Sequence, residues 1–207
     1  MPGPPHRLTV AVMFNDTSSP LALLRSRRSG KARDMTTPGP DAGQLADILG
    51  IAARVPDHGK LAPWRFLVVA PERRDDLAAL LTRAWLDDRP SAGRLELQAA
   101  EDFARAAPCL VILLSTPISG SKIPLTEQRM SAGAAAMNLV NAAHAHGFVA
   151  NWLTGWAAEN ATVKQALGAG GEEDAIVGFF FIGTPARELE ERPRPELASI
   201  TRWWDGK

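Results

Sequence analysis

The sequence is short of the features that mark several large classes of protein. It has one cysteine in 207 residues, which excludes an intrachain disulfide framework and fits a reducing cytoplasm. Basic and acidic residues number 23 each, so no net charge favours binding to nucleic acid or to a membrane surface. No apolar run approaches the roughly 18 residues of a transmembrane helix. We therefore expect a cytoplasmic protein that binds neither membranes nor nucleic acid.

Several catalytic and cofactor motifs are also missing. The chain has no G-x-G-x-x-G loop, no Walker loop, no G-x-S-x-G elbow and no zinc pattern. A glycine-rich run begins at Gly168, but it leads into three acidic residues at 172–174 that would repel a phosphate, so we interpret it as a turn. His144 and His146 lie two residues apart on a predicted helix and point to different faces. We expect no metal site.

The chain is long enough for one well-buried core. Its first residues have neither the h-region nor the cleavage site of a secretory signal, and Met13 offers a second start. We expect residues 1–17 to form a disordered extension and residues 18–207 to form a single domain that ends in a tail. Trp203 and Trp204 lie on that tail, which indicates that it packs against something, such as a second subunit.

Helices and strands are mixed along the chain. This mixture favours an α/β or α+β sandwich with one central sheet. Helical spacing and capping residues predict helices, and apolar β-branched runs predict strands. The predicted helices cover about 20–29, 41–55, 72–85, 93–106, 125–146 and 162–167, and the predicted strands cover 65–70, 109–114, 148–153 and 175–183.

A restrained loop joins the second helix to the first predicted strand. Pro56 and Pro63 flank the run Asp57-His58-Gly59-Lys60, and each proline biases the residue before it away from helical angles. Such a loop between two regular elements is typical of a ligand clamp. His58 taken alone could be a base, a ligand or a hydrogen-bonded loop residue, and the last interpretation is favoured.

Two further segments are candidates for ligand contacts. Arg27, Arg28 and Ser29 at a helix end can hold a phosphate through charge-assisted bonds, although composition alone favours a solvated basic helix end. The stretch from Trp152 to Trp156 places flat aromatic rings beside a glycine, which suits a flat ligand. Tryptophans at strand ends also plug cores, so both interpretations stay open.

Five segments together are similar to one known family. They are Arg27-Arg28-Ser29, Arg54 through Phe66, Glu127 to Gly133, Trp152 to Gly155, and Gly178 to Pro185. In this order they resemble the nitroreductase family of FMN-dependent oxidoreductases, in particular its small single-domain bacterial branch with the loop A-P-D-H-x-x-x-x-P-W. The similarity covers roughly residues 20 to 187.

The resemblance implies an α+β fold with a central, mostly antiparallel sheet flanked by helices. It also implies an obligate homodimer with two FMN sites at the subunit interface. The family's site residues correspond to three groups in this chain. These are Arg27, Arg28 and Ser29 for the phosphate and ribityl chain, Arg54 and His58 for the flavin of the other subunit, and Trp152, Leu153 and Thr154 for the isoalloxazine.

The implied activity is hydride transfer from NADH or NADPH through flavin N5 to nitroaromatic, quinone or similar electron-poor acceptors, with no catalytic side chain. An FMN-dependent dehydrogenase or flavin-modifying enzyme on the same scaffold, or a non-catalytic FMN-binding dimer, are the alternatives. Many family members place a late arginine near the phosphate. Arg187, Arg192 and Arg194 are all candidates for it here.

Overall fold

A five-stranded antiparallel sheet forms the centre of the structure, a computed structural model that describes residues 13–206. Its strands are β1 (Met35–Thr36), β2 (Trp64–Val69), β3 (Cys109–Ser115), β4 (Val149–Leu153) and β5 (Ala175–Pro185). The order β1-β5-β3-β2 gives β5 a central position, and β4 also pairs with β5. Residues 179–183 of β5 pair with β4, and residues 184–185 pair with β1.

The two central strands are apolar on both faces because helices cover both faces. Every residue of β3 is buried, and Phe179, Phe180 and Phe181 of β5 are fully buried. Successive side chains of a strand point to opposite faces, so Phe179 and Phe181 join one half of the core and Phe180 joins the other. Burial of each such ring stabilises the fold by about 1.5–3 kcal/mol.

One helical layer packs on each face of the sheet. The helices are α1 (Pro20–Ser26), α2 (Ala42–Ala52), α3 (Arg74–Asp88), α4 (Arg94–Arg105), α5 (Leu125–Ala145), α6 (Trp156–Glu159), α7 (Ala161–Ala166) and α8 (Leu197–Ile200). The buried residues of α3 join the half of the core that holds Phe179, and those of α2 and α5 join the half that holds Phe180. Short 3-10 turns occur at Ala32–Asp34, His58–Lys60 and Pro71–Arg73.

Capping residues explain where the first two helices begin. The Ser19 hydroxyl accepts a hydrogen bond from the N–H of Ala22, and Pro20 opens α1. Asp41 and Gln44 form a reciprocal capping box at the start of α2. Both starts agree with the prediction from the sequence.

The predicted fold class, an antiparallel sheet flanked by helices, is confirmed, and the corrections are local. The helix predicted to run to about residue 29 ends at Ser26, so Arg27, Arg28 and Ser29 follow it in irregular backbone rather than forming its last turn. The segment interpreted as a polar link contains β1, which pairs with the end of β5. β1 and α6 span two and four residues, too few to show a period in the sequence.

The predicted extension at residues 1–17 lies mostly outside the described residues. Within it, the Asn15 side-chain oxygen accepts a hydrogen bond from the N–H of Arg28 (2.8 Å), and the N–H of Asp16 donates to the Ser26 hydroxyl (2.9 Å). Among residues 13–206, no helix combines the length and the apolar character that crossing a membrane requires.

Candidate active site

The backbone that carries Arg27, Arg28 and Ser29 is held between the end of α5 and the start of β4. The carbonyl oxygen of Arg28 lies 3.0 Å from Nε2 of His144 on α5. A Cβ added to Gly30 would stand 2.9 Å from Val149 Cγ2, so the chain approaches β4 closely where a glycine stands. These contacts hold the segment against α5 and β4.

Arg27 is half-buried among other positive charges. Its Nη1 donates to the Ser29 hydroxyl at 3.3 Å. Burial, followed by the nearby charges of Arg194 and Arg28, lowers the pKa of Arg27 from its ordinary value. Because the charges that act on it are of the same sign, a bound anion would relieve both the repulsion and the cost of burial.

Arg28 contacts the C-terminal tail. Its Nε donates to the carbonyl oxygen of Glu190 at 2.6 Å and lies 3.7 Å from the carboxylate of Glu191. A cavity of about 320 Å³ separates the two segments and is lined by residues 28–31, Asp34, Pro185 and residues 187–190. The arginine segment and the tail therefore form one pocket.

The three late arginines are placed differently. Arg187 lines the pocket, and its Nε lies 3.6 Å from the carboxylate of Asp34. Arg194 acts on the pKa of Arg27 and lies 3.6 Å from Glu191. The backbone N–H of Arg192 donates to Glu191 at 2.7 Å. The geometry thus favours Arg187 and Arg194 over Arg192 as candidates for the arginine that the family resemblance implies near the phosphate.

The loop at His58 is held in an unusual backbone conformation. The Asp57 carboxylate accepts the N–H groups of Leu61 (3.0 Å) and Ala62 (2.9 Å), and Gly59, Lys60 and Ala62 all have positive φ. Positive φ in Lys60 and Ala62 costs of order 1–3 kcal/mol each, so the surrounding contacts must fix this loop. Arg54 and His58 themselves are exposed.

Within one chain, this loop and the arginine segment lie at opposite ends of α5. The Ser131 hydroxyl donates to the carbonyl oxygen of Pro56, and His58 lines a cavity of about 210 Å³ with Glu127, Met130 and Ala134. Arg28 contacts His144, 13 residues further along α5. That interval is about 20 Å along a helix axis. A single chain does not bring His58 to Arg28.

The third predicted segment lies at the far end of β4. The Trp152 indole donates to the carbonyl oxygen of Val177 (2.9 Å), and its ring centroid lies 5.3 Å from that of Phe180. Leu153 packs against the core, and Thr154 is exposed. Trp152 therefore plugs the core in part, yet it keeps 37% of its surface exposed. From Val149 to Leu153 the strand spans about 13 Å, which separates the arginine segment from this end.

A second, apolar cavity opens beside Thr154. It has a volume of about 380 Å³ and lies between α3, α4 and α6. The Trp156 indole donates to the Asp88 carboxylate (2.7 Å), and its ring meets that of Trp85 edge-on. Sequence reasoning missed this cavity. Its other lining residues are Leu81, Glu96, Ala99, Ala100, Phe103 and Ala157.

Asn15, Asn151 and His144 also help to position the site, and sequence reasoning missed them. The Asn151 side chain accepts the N–H of Ala32 (3.2 Å), next to the arginine segment. The signal for Asn151 was a polar amide inside an otherwise apolar strand, and for His144 a histidine on a small-residue helix. None of the described residues form a group of three His, Cys, Asp or Glu side chains that could hold a metal.

Fold and site together define an α+β protein with a cluster of arginines at one end of an edge strand and a partly exposed tryptophan, Trp152, at the other. Residues 24–184 match the Nitroreductase family. The chain belongs to the Nitroreductase family, and the resemblance seen in the motifs is confirmed.

One relative and two solved structures illustrate the likeness. "Putative NAD(P)H nitroreductase YdjA" of Escherichia coli (strain K12) is 38% identical over 173 residues, which are 80% of this chain and 87% of the relative. A nitroreductase-like family protein from Bacillus cereus has a TM-score of 0.77 at 18% identity, with 91% of this chain and 97% of that chain covered. The FMN and NADPH-dependent nitroreductase NfnB from sphigopyxis sp. strain HMH has a TM-score of 0.67 at 22% identity, with 87% and 96% covered.

Proposed function

We propose that this chain is an FMN-dependent oxidoreductase that uses NADH or NADPH to reduce electron-poor acceptors such as nitroaromatics and quinones. The observation that carries the proposal is the cluster of Arg28 and Arg194 near Arg27, which donates to the Ser29 hydroxyl, with a flat aromatic segment about 13 Å away along β4. The names of the Escherichia coli relative and of the NfnB nitroreductase support the donor and the cofactor.

The donor groups fit the two ends of FMN. The arginine segment offers guanidinium groups and a hydroxyl, which suit a dianionic phosphate and the hydroxyls of a ribityl chain. Trp152 presents a partly exposed ring held by Val177, and Leu153 and Thr154 follow it. Backbone N–H groups of these two residues are candidates to bind the polar edge of the ring.

The flavin, when bound, supplies the redox chemistry by accepting and passing on a hydride. The protein's own residues bind and orient. Arg27, Arg28 and Ser29 would hold the phosphate and ribityl end, while Trp152, Leu153 and Thr154 would lie along the ring. Since a hydride needs only a bound acceptor and solvent can supply a proton, the proposal assigns no side chain to proton transfer.

A second copy of the chain completes the site in this proposal. His58 lies about 20 Å along α5 from the same chain's arginine segment, but a two-fold related copy can present it, together with Arg54, to the partner's flavin. Exposed apolar side chains support such a contact. Met130 on α5 is 72% exposed, and Trp203 and Trp204 on the tail are 93% and 87% exposed.

The cavity beside Thr154 supports a flat, apolar acceptor. Its walls combine Trp85, Phe103 and Trp156 with alanines on α4. Aromatic walls favour stacking of a planar ring, and the volume of about 380 Å³ matches a small aromatic molecule. We assign the acceptor to this cavity because Thr154 belongs to both the cavity and the proposed ring-binding segment.

Spectroscopy and steady-state kinetics test the proposal. The purified protein, or the protein reconstituted with FMN, is expected to show flavin absorbance and to oxidise NADH or NADPH when a nitroaromatic or quinone is supplied. A colourless protein that takes up no FMN would overturn the assignment of the cofactor. Bound flavin that neither nucleotide reduces would overturn the assignment of the reaction.

A further inference from the structure

His144 is buried between two carbonyl oxygens. It is 0% exposed, its Nδ1 lies 2.7 Å from the carbonyl of Val140, and its Nε2 lies 3.0 Å from the carbonyl of Arg28. A neutral imidazole carries one N–H, so it can donate to only one of these oxygens. At the other, a nitrogen lone pair faces an oxygen lone pair. Only the protonated ring donates to both.

The surroundings of the ring oppose protonation as long as no anion is bound. Burial, and more weakly the charge of Arg27, lower the pKa of His144, although both carbonyl contacts act in the opposite direction. On the tail, Glu191 and Arg194 lie next to the arginine segment.

The other elements around the ring bring little charge. On α5 itself, residues 130–143 include no charged side chain, and β4 brings the amide of Asn151 to the segment. His146, just beyond the end of α5, is engaged elsewhere with Asp47 of α2 at 2.9 Å. Arg27 is the charged side chain that acts on the pKa of His144.

We propose that His144 positions the phosphate-binding segment and takes up a proton from solvent, up to one per site, when a phosphate binds beside Arg27 and Arg28. This inference rests on the proposed FMN site. Negative charge at the arginines offsets the repulsion that the ring feels from Arg27. The protonated ring then donates to both carbonyls and fixes the backbone of Arg28 against α5. His144 would thereby make binding selective for a phosphorylated flavin.

The pH dependence follows from the sign of this coupling. The ligand raises the pKa of His144, so protonation and FMN binding favour each other, and the affinity contributed by His144 rises as pH falls. The second ionisation of a phosphate monoester, near pH 6, acts in the opposite direction only at lower pH. At pH 7.5 to 8 the phosphate is already a dianion, so proton uptake there reports on the protein.

Calorimetric titration measures the proton count directly. The full-length protein freed of flavin is titrated with FMN at pH 7.5 in two buffers of different ionisation enthalpy, and the same is done with riboflavin. We expect uptake of a fraction of a proton, up to one, per FMN and none per riboflavin. FMN and riboflavin share the ring that the His58 loop is proposed to contact, so the riboflavin titration controls for effects of ring binding.

Two variants assign the proton to a residue. His144→Gln keeps a donor but cannot be protonated, so its proton uptake should vanish. The matched control is His146→Gln, which should take up as much proton on FMN binding as the native protein does. The FMN affinity of the native protein relative to His144→Gln should rise by up to about tenfold for each unit of falling pH between pH 8 and 7.

The outcomes separate the two proposals. FMN binding without proton uptake, or with equal uptake for riboflavin, overturns the role of His144 and leaves the flavin site standing. Proton uptake that is unchanged in His144→Gln would likewise overturn the role of His144 and leave the flavin site standing. Failure to bind FMN at all overturns the flavin site and this inference with it. The comparison of FMN with riboflavin uses native protein, so it can overturn the inference even if the variant does not fold.

Discussion

At the scale of a single side chain, the surroundings of Arg27 support the proposal of a negatively charged ligand. Arg27 is half-buried, donates to a hydroxyl rather than a carboxylate, and feels the charges of Arg28 and Arg194. Partial burial of a cation among like charges opposes folding. Such an arrangement is typical of a functional site, where an anion compensates for it.

Replacing Arg27 should weaken FMN binding without unfolding the protein. Arg27→Ala removes a charge-assisted hydrogen bond, which contributes about 1.5–3 kcal/mol, so the dissociation constant should rise about 10- to 150-fold. Quenching of flavin fluorescence measures it. Arg33→Ala, an exposed arginine six residues away, is the matched control and should bind FMN normally. An unchanged affinity in Arg27→Ala removes this residue from the site.

Gly178 lets the Trp152 ring lie across β5. A Cβ at Gly178 would stand 2.2 Å from Trp152 Nε1, so Gly178→Ala must displace the ring and break its bond to Val177. Overpacking of this kind costs about 1–3 kcal/mol of the free energy of unfolding. Thermal or denaturant unfolding measures the loss.

Gly50 offers the contrasting substitution. It lies inside α2, and a Cβ there meets nothing within 4 Å, so Gly50→Ala should stabilise the protein by about 0.5–1 kcal/mol. If Gly178→Ala proved as harmless as Gly50→Ala, the placement of Trp152 would be wrong.

Cys109 should be inert in the folded protein. Burial raises the pKa of its thiol to about 11, so almost none of it is thiolate at pH 8. A thiol-specific disulfide reagent should therefore label native protein far more slowly than protein unfolded in denaturant at the same pH. Equal rates would show that β3 is not buried as described.

Among the elements, α5 connects two segments that we propose for FMN binding. Its N-terminal half holds the His58 loop through Ser131, and its C-terminal end holds the Arg28 backbone through His144. These two contacts are therefore about 20 Å apart along the helix axis. In the proposed function, the two ends of α5 therefore belong to two different flavin sites. Each site then needs residues from two subunits.

Elements with a long apolar pattern or a capping residue could be predicted from the sequence. Asp41 and Gln44 marked the start of α2, and the continuous apolar run from Cys109 marked a strand buried on both faces. Arg27, Arg28 and Ser29 also stood out as a candidate phosphate site, although composition alone favoured a solvated basic helix end. In contrast, the bond between Arg28 and Glu190 joins residues 162 positions apart, and local patterns carry no signal for such a contact.

The cavity bounded by α4 gives a prediction about the acceptor. Ala99→Trp on α4 should fill the cavity beside Thr154 and raise the KM for a nitroaromatic acceptor about tenfold, the effect of losing about 1.4 kcal/mol of binding. FMN affinity should not change. Ala79→Trp on the exposed side of α3 is the control. An unchanged acceptor KM would place the acceptor elsewhere.

At the scale of the whole molecule, two incomplete sites in one dimer should complement each other. Arg27→Ala damages the phosphate end, and His58→Ala damages the loop offered to the partner. Random pairing of the two variants makes half of the dimers mixed, each with one intact site, so about a quarter of the native flavin sites should return. FMN bound per subunit after mixing measures this. No recovery in dimers that demonstrably exchange subunits would contradict the cross-subunit site.

The most direct test of the proposed function is anaerobic reduction of the bound flavin followed by one turnover. The oxidised holoprotein is mixed with NADH or with NADPH without oxygen, and the flavin absorbance is followed. We expect at least one nucleotide to bleach the flavin band and a nitroaromatic or quinone then to restore it. A flavin that stays oxidised with both nucleotides, or that no such acceptor reoxidises, would contradict the proposed function.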